Sequence, residues 1–182
     1  MFLRLIRTAA LAALAASGLP GMHAALAQEE GQATASSATP ACAQEHSRQF
    51  DFWVGEWEVR DAEGRVAGVN RISSEEGGCV IVERWSAVDG RTGQSLNYFD
   101  PAANRWKQTW VGLGLLLHMQ GSFGDGHMRL EGPLQYLGQG SVTTLRGTWT
   151  PLSDGRVRQH FEESEDGGKS WITWFDGYYT RR

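Results

Sequence analysis

The sequence is poor in cysteine, histidine and positive charge. Of its 182 residues two are cysteine and five are histidine, and 17 basic side chains face 21 acidic ones. A net charge of −4 leaves no basic footprint, so a nucleic-acid partner is not expected. No H-x-H, H-E-x-x-H or C-x-x-C spacing occurs, which removes the usual zinc sites; no metal and no cofactor are expected. A long apolar run is also missing beyond the first 27 residues, so the mature chain should contain no membrane span. After Phe50 no stretch repeats its apolar residues every 3.6 positions, which argues against a helical fold. What is present is 41% hydrophobic residues, 23 glycines and 8 tryptophans, enough for one domain with a substantial core.

The N-terminal segment reads as an address. Arg4 and Arg7 precede an apolar stretch from Ala9 to Leu19 that is too short to span a bilayer, and Ala25-Leu26-Ala27 has the A-x-A form of a signal-peptidase site. Residues 1–27 are therefore expected to be a signal peptide, with a membrane anchor as the alternative. No leucine stands three positions before Cys42, as a lipoprotein would require. Residues 28–45 begin small and polar and read as a flexible leader; 46–182 read as the domain. Export to a periplasmic or extracellular setting favours a disulfide between Cys42 and Cys79. Closing a loop of that length is worth about 4 kcal/mol on the chain-entropy model.

From Phe50 onward, short runs rich in Val, Ile, Trp, Thr and Tyr alternate with Gly, Asp and Pro. The runs predict strands near 53–60, 65–73, 78–87, 93–99, 105–111, 115–122, 127–134, 141–150, 155–163 and 170–180. Consecutive strands with short links make an all-β, antiparallel up-and-down barrel, which leaves no exposed edge; a two-sheet sandwich is the alternative. Residues 46–52 could form a short helical plug for one end.

Turn positions then predict which residues meet. A turn centred on Gly90 sets Glu83 against Asn97, Trp85 against Ser95 and Ile81 against Phe99. The Asp100–Asn104 turn sets Asn97 against Gln108, Phe99 against Trp106 and Ser95 against Trp110. One face thus carries a polar row, Glu83, Asn97 and Gln108, among Trp85, Phe99, Trp106 and Trp110. Arg84, Arg105 and Lys107 lie on the other face, taken as the outside. Later in the chain, Trp149 is expected opposite Val157, Leu145 opposite Phe161, Phe161 opposite Ile172, and Gln159 opposite Trp174. Arg146 and His160 then point outward, although a shift of one residue would bring Arg146 in. His127 is expected opposite Phe123, with His118 near Gly132 and roughly 17 Å of strand between the two histidines.

Several motifs add to this reading. Gly55-Glu-Trp57 has the G-x-W form seen at the first strand of lipocalin-like barrels, where the Trp packs under a basic residue of the last strand. The resemblance implies a structural role for Trp57, with Arg181 or Arg182 as its partner. FDFWVGEWEV, GGCVIVERW, SLNYFDPAANRWKQTWV, RGTWTP, RQHFEESEDGGKSW and FDGYY together resemble an exported bacterial domain family of unknown function associated with the calycin (lipocalin-like) barrels. The resemblance covers about Phe50 to Tyr179. It implies a barrel with an internal pocket and supplies no reaction. Ser164, Asp166, Gly168 and Trp171 match the Asp-box of sialidase-type propellers, but a single copy is read as a turn-capping device.

The leading functional expectation is a binding barrel for a small apolar or amphipathic ligand. Trp85, Phe99, Trp106, Trp110 and Trp174 would give contact area, and Glu83, Asn97, Gln108 and Gln159 would orient polar atoms. Buried polar groups must otherwise satisfy one another, the plainer account of the same row. Three alternatives stand beside it. One is an enzyme using Glu83 as general acid or base, for which the sequence offers no partner carboxylate, nucleophile or metal set. The others are a haem-binding barrel ligated by His118 or His160, and a purely structural or interaction barrel. Oligomeric state is not legible.

Overall fold

The computed structural model describes residues 42–182. The expected signal peptide, and the expected leader up to residue 41, lie outside the described residues. A short helix, α1 (Glu45–Arg48), and a 3₁₀ turn (Asp51–Trp53) precede ten strands. These are β1 (Gly55–Asp61), β2 (Val66–Glu75), β3 (Val80–Ala87), β4 (Thr92–Asp100), β5 (Arg105–Gly112), β6 (Leu115–Gly124), β7 (His127–Tyr136), β8 (Ser141–Pro151), β9 (Val157–Ser164) and β10 (Ile172–Arg181). Each strand pairs antiparallel with the next, and β10 closes on β1 through Trp57↔Arg181 and Val59↔Tyr179. The protein is a closed up-and-down barrel, in keeping with the calycin-like architecture, and its sheet has no free edge.

Up-and-down order sorts the connections into two ends. The turns after β2, β4, β6 and β8 share one end with the chain segment entering β1, and those after β1, β3, β5, β7 and β9 share the other. The first end is plugged. Phe50 stacks on Trp53 at 4.9 Å and meets Trp106 and Trp149 edge-on at 5.6 and 5.3 Å. His46 lies 4.2 Å from the Phe99 ring, and Trp106 Nε1 donates to Gln49 Oε1 at 3.1 Å. Cys42 and Cys79 form a disulfide that ties the segment before α1 to the β2–β3 connection.

The G-x-W pattern has a physical basis here. The Arg181 guanidinium sits 4.3 Å above the Trp57 ring and donates to Val54 O at 3.3 Å. A β-carbon on Gly55 would push that guanidinium from its place over the ring, and the backbone there (φ 155°) is one that other residues rarely adopt. Trp57 Nε1 donates to Trp53 O at 2.9 Å, which joins the plug to the first strand.

Four strand pairs differ from expectation in their register. In β3–β4, Glu83 faces Ser95, Ile81 faces Asn97 and Trp85 faces Gly93. In β8–β9, Trp149 faces Gln159, Leu145 faces Glu163 and Gly147 faces Phe161. Both hairpins close through the same turn, Ala87–Arg91 and Leu152–Arg156, with an aspartate at its centre and a positive-φ glycine next (Gly90 φ 82°, Gly155 φ 84°). That is a three-residue loop with a glycine bulge, so the centre falls on Asp89 and Asp154. Each register moves by two residues, which keeps every side chain on its expected face. In β6–β7 the two-residue Asp125-Gly126 turn, with φ 51° and 79°, sets His127 opposite Gly124 and Phe123 opposite Met128.

The β9–β10 pair departs further. A bulge between Thr173 and Phe175 sets Phe161 opposite Phe175 and Gln159 opposite Gly177, while Ile172 faces Glu163. Arg146 points outward, as expected. It pairs with Glu162 at 2.8 Å and lies over the Trp171 ring at 4.0 Å.

Candidate ligand cavity at the open end

The end opposite the plug contains a cavity of about 130 Å³. Half-buried Trp85, Trp110, Leu113, Trp174 and Phe175 lie toward the mouth, and buried Glu83, Gln108, Leu117, Gln159, Phe161 and Tyr179 lie deeper. Six residues expected at a ligand site therefore meet: Glu83, Trp85, Gln108, Trp110, Gln159 and Trp174. Three do not reach the cavity. Phe99 and Trp106 pack beneath the plug at the other end. Asn97 is buried one step further down β4, bonded to its neighbours.

Three of the aromatic walls stand on glycines of adjacent strands, and Phe175 stands on Gly177 of its own strand. A β-carbon on Gly68 would strike Trp85, one on Gly93 would strike Trp110, one on Gly147 would strike Phe161, and one on Gly177 would strike Phe175. Each ring thus occupies the space that a side chain at the glycine would fill. The bulge in β10 lets two consecutive aromatics, Trp174 and Phe175, reach the same space, which strict alternation forbids.

Beneath the walls runs a belt of hydrogen bonds. Gln108 Nε2 donates to Asn97 Oδ1 at 2.6 Å, and Asn97 Nδ2 donates to Ser95 Oγ at 2.8 Å and to Ile81 O at 3.0 Å. Ser95 Oγ donates to Glu83 Oε2 and Asn70 Nδ2 to Glu83 Oε1, both at 2.7 Å. Asn70 Nδ2 also reaches the Tyr179 hydroxyl at 3.4 Å, and that hydroxyl donates to Gln159 Oε1. The belt joins strands β5, β4, β3, β2, β10 and β9. Asn70, Ser95 and Tyr179 complete it. Their signal in the sequence was the inward parity of their strands, which placed Ser95 on the right face and left Asn70 and Tyr179 unremarked.

Mutual satisfaction accounts for much of the belt but not for all of it. Among the described residues, Gln108 Oε1 and Gln159 Nε2 have no hydrogen-bond partner and belong to side chains lining the cavity. Asn70 Oδ1 is buried and likewise unpaired. Glu83 is 5% exposed, and burial pushes its carboxyl above the ordinary glutamate value despite the two donated hydrogen bonds. Burial also pushes the Tyr179 phenol well above 10.

The histidines stay outside the cavity. His118 Nδ1 is 3.3 Å from Thr109 Oγ1, and His160 Nε2 is 3.3 Å from Thr173 Oγ1, both on the outer face. No group of three or more metal-ligating side chains occurs among the described residues.

The Asp-box sequence forms a tight turn at the open end. Asp166 Oδ1 accepts from Ser164 Oγ and from the Lys169 and Ser170 backbone amides at 2.8–2.9 Å, and its Oδ2 accepts from Ser170 Oγ at 2.6 Å. The Gly168 amide donates to Ser164 Oγ, and Trp171 Nε1 donates to Gly168 O. Every polar atom of the motif named here is engaged within the turn.

No family model matches the sequence, and no curated protein matches it.

Proposed function

We propose that this is an exported barrel that binds a small apolar or amphipathic molecule in its open end, with membership of the calycin-like family as part of that reading. The observation that carries it is the cavity itself: an aromatic-walled space with Glu83, Gln108 and Gln159 presenting polar atoms at its floor. An apolar lining with a few convergent polar groups is the usual make-up of a ligand site. The Cys42–Cys79 disulfide supports an oxidising compartment. Among the described residues no helix is long and apolar enough to cross a membrane. The strands do not suit lipid either, because ion pairs such as Arg71–Glu56, Arg84–Glu75 and Lys107–Asp100 stud the outer face while the large apolar cluster lies inside. A membrane-spanning barrel inverts that arrangement.

Native mass spectrometry of protein taken from the periplasm, followed by tryptophan-fluorescence titration, tests the proposal. A retained small molecule, or saturable quenching by candidate ligands, is the expected result. A bare mass with no saturable response across apolar and amphipathic candidates overturns it.

One observation favours a second reading. A buried carboxyl with a raised pKa at a cavity floor is what a general acid or base requires. Glu83→Gln separates the two: an enzyme loses turnover on a confirmed substrate that the variant still binds, whereas in a binder there is no turnover to lose and the substitution changes affinity alone. For haem the cavity lining offers no imidazole, and an absorption scan for a Soret band after haem addition checks that reading.

A further inference from the structure

The barrel interior is electrically one-sided. Among the described residues the buried polar side chains include two carboxylates, Glu83 and Glu163, and no Lys, Arg or His. Neither carboxylate takes part in an ion pair. Glu163 lies on the inward face of β9, two residues nearer the mouth than Phe161, and Oε1 accepts from Tyr136 Oη and Thr143 Oγ1 at 2.8 and 2.6 Å. A carboxylate buried without a cation is costly, and chains ordinarily pair it.

Glu83 is built as an acceptor. Each of its oxygens receives one hydrogen bond, from Asn70 and from Ser95, and each has lone-pair capacity left. Gln108 Oε1 adds a second free acceptor in the cavity lining. Around them stand Trp85, Trp110 and Trp174, whose ring faces attract positive charge. An anionic ligand would meet the Glu83 carboxyl and no cationic side chain in the lining. A cavity of about 130 Å³ is close to the engineered apolar cavity of ~150 Å³ that accepts benzene.

We propose that the ligand is an organic ammonium: a protonated amine on an apolar body of about benzene size, its N–H groups donated to the Glu83 carboxylate and Gln108 Oε1, its body held between Trp85, Trp110 and Trp174. This rests on the reading of the cavity as a ligand site and narrows it to one chemical class. The remaining groups facing Glu83 do not compete for the charge. Asn70 on β2, Ser95 on β4, Gln108 on β5 and Gln159 on β9 do not titrate, and Tyr179 on β10 stays neutral. Burial raises the pKa of the Glu83 carboxyl, and a cation bound beside it favours the charged form and draws it back down.

Benzylamine, benzyl alcohol and benzoate share a size and differ in charge, so titrating each into the oxidised protein by calorimetry and tryptophan fluorescence tests the inference. At neutral pH benzylamine binds about tenfold or more tightly than the alcohol, and benzoate is the weakest. Glu83→Gln, with its fold checked by circular dichroism, brings amine and alcohol to within about threefold of each other, an interval set by the loss of one charge-assisted contact. Where that variant does not fold, the wild type still decides: benzylamine affinity falls as pH drops through the Glu83 titration, and benzyl alcohol affinity does not. Alcohol or benzoate binding as well as the amine overturns the ammonium assignment and leaves the binding barrel standing. No binding by any of the three, together with no retained molecule in the native mass spectrum, removes both.

Discussion

Glu83 shows how one side chain couples packing to pH. Its folded carboxyl titrates above the ordinary value of 4.5 because burial penalises the charge. The folded state therefore holds a proton that the unfolded state has released. In that window the unfolded chain binds fewer protons, and stability falls as pH rises toward the folded-state pKa. Glu83→Gln removes the titration, so its unfolding free energy should stay flat where the wild type declines. Urea midpoints across the mildly acidic range check this; parallel profiles for the two proteins would show that Glu83 is not the group responsible. Gly93 makes a simpler statement about space. Its absent side chain is where the Trp110 indole lies, so Gly93→Ala must displace a rigid ring, at a cost of about 1–3 kcal/mol. Near-UV circular dichroism and thermal unfolding read both effects, and an unshifted tryptophan signal would mean the ring is not held there.

At the scale of elements, composition and turn chemistry were enough to place ten strands and the barrel. The Asp-Gly punctuation and the runs of Val, Ile, Trp and Thr mark almost every boundary. Registers were harder, because the face of a strand depends only on parity whereas its partner depends on the turn. Glu83 was therefore legible as inward, but its neighbour Ser95 was not legible as its hydrogen-bond donor until Asp89 proved to be the turn's centre. The split of the aromatics between the two ends was not legible either. Phe99 and Trp110 both point inward, and only the side on which the N-terminal plug inserts sends the first beneath it and the second to the cavity. The β10 bulge has no marker in Thr173-Trp174-Phe175, so Phe175 went unseen. The Asp166 turn offers a prediction at this scale. Its hydrogen bonds hold the carboxyl far below the ordinary 3.8, so the stabilisation is present above that value and is lost as pH falls beneath it. Asp166→Ala should lower the melting temperature at neutral pH and lose that difference in strong acid. A constant difference down the acid limb would assign the effect to something other than this charge.

The whole molecule divides its labour between two ends of one closed sheet. Phe50, Trp53, Trp57, Trp106 and Trp149 fill the plugged end, and the cavity occupies the other, with the polar belt between them. The only covalent cross-link among the described residues, Cys42–Cys79, belongs entirely to the plugged end. It spans 37 residues of sequence, including β1 and β2, and the chain-entropy model values such a loop at about 4 kcal/mol. Reduction should therefore lower the unfolding free energy by up to about that amount while the barrel still closes through β1 and β10. Because the bond lies away from the mouth, tryptophan quenching by a cavity ligand should survive reduction at low urea, even as the unfolding midpoint moves down. Urea unfolding with and without reductant, each with a ligand titration at its native baseline, measures both quantities. A midpoint that does not move would show that the plug is held by its aromatic packing alone. Loss of ligand response on reduction would show that the two ends are coupled through the polar belt, with Glu83 and Asn70 as the first residues to test.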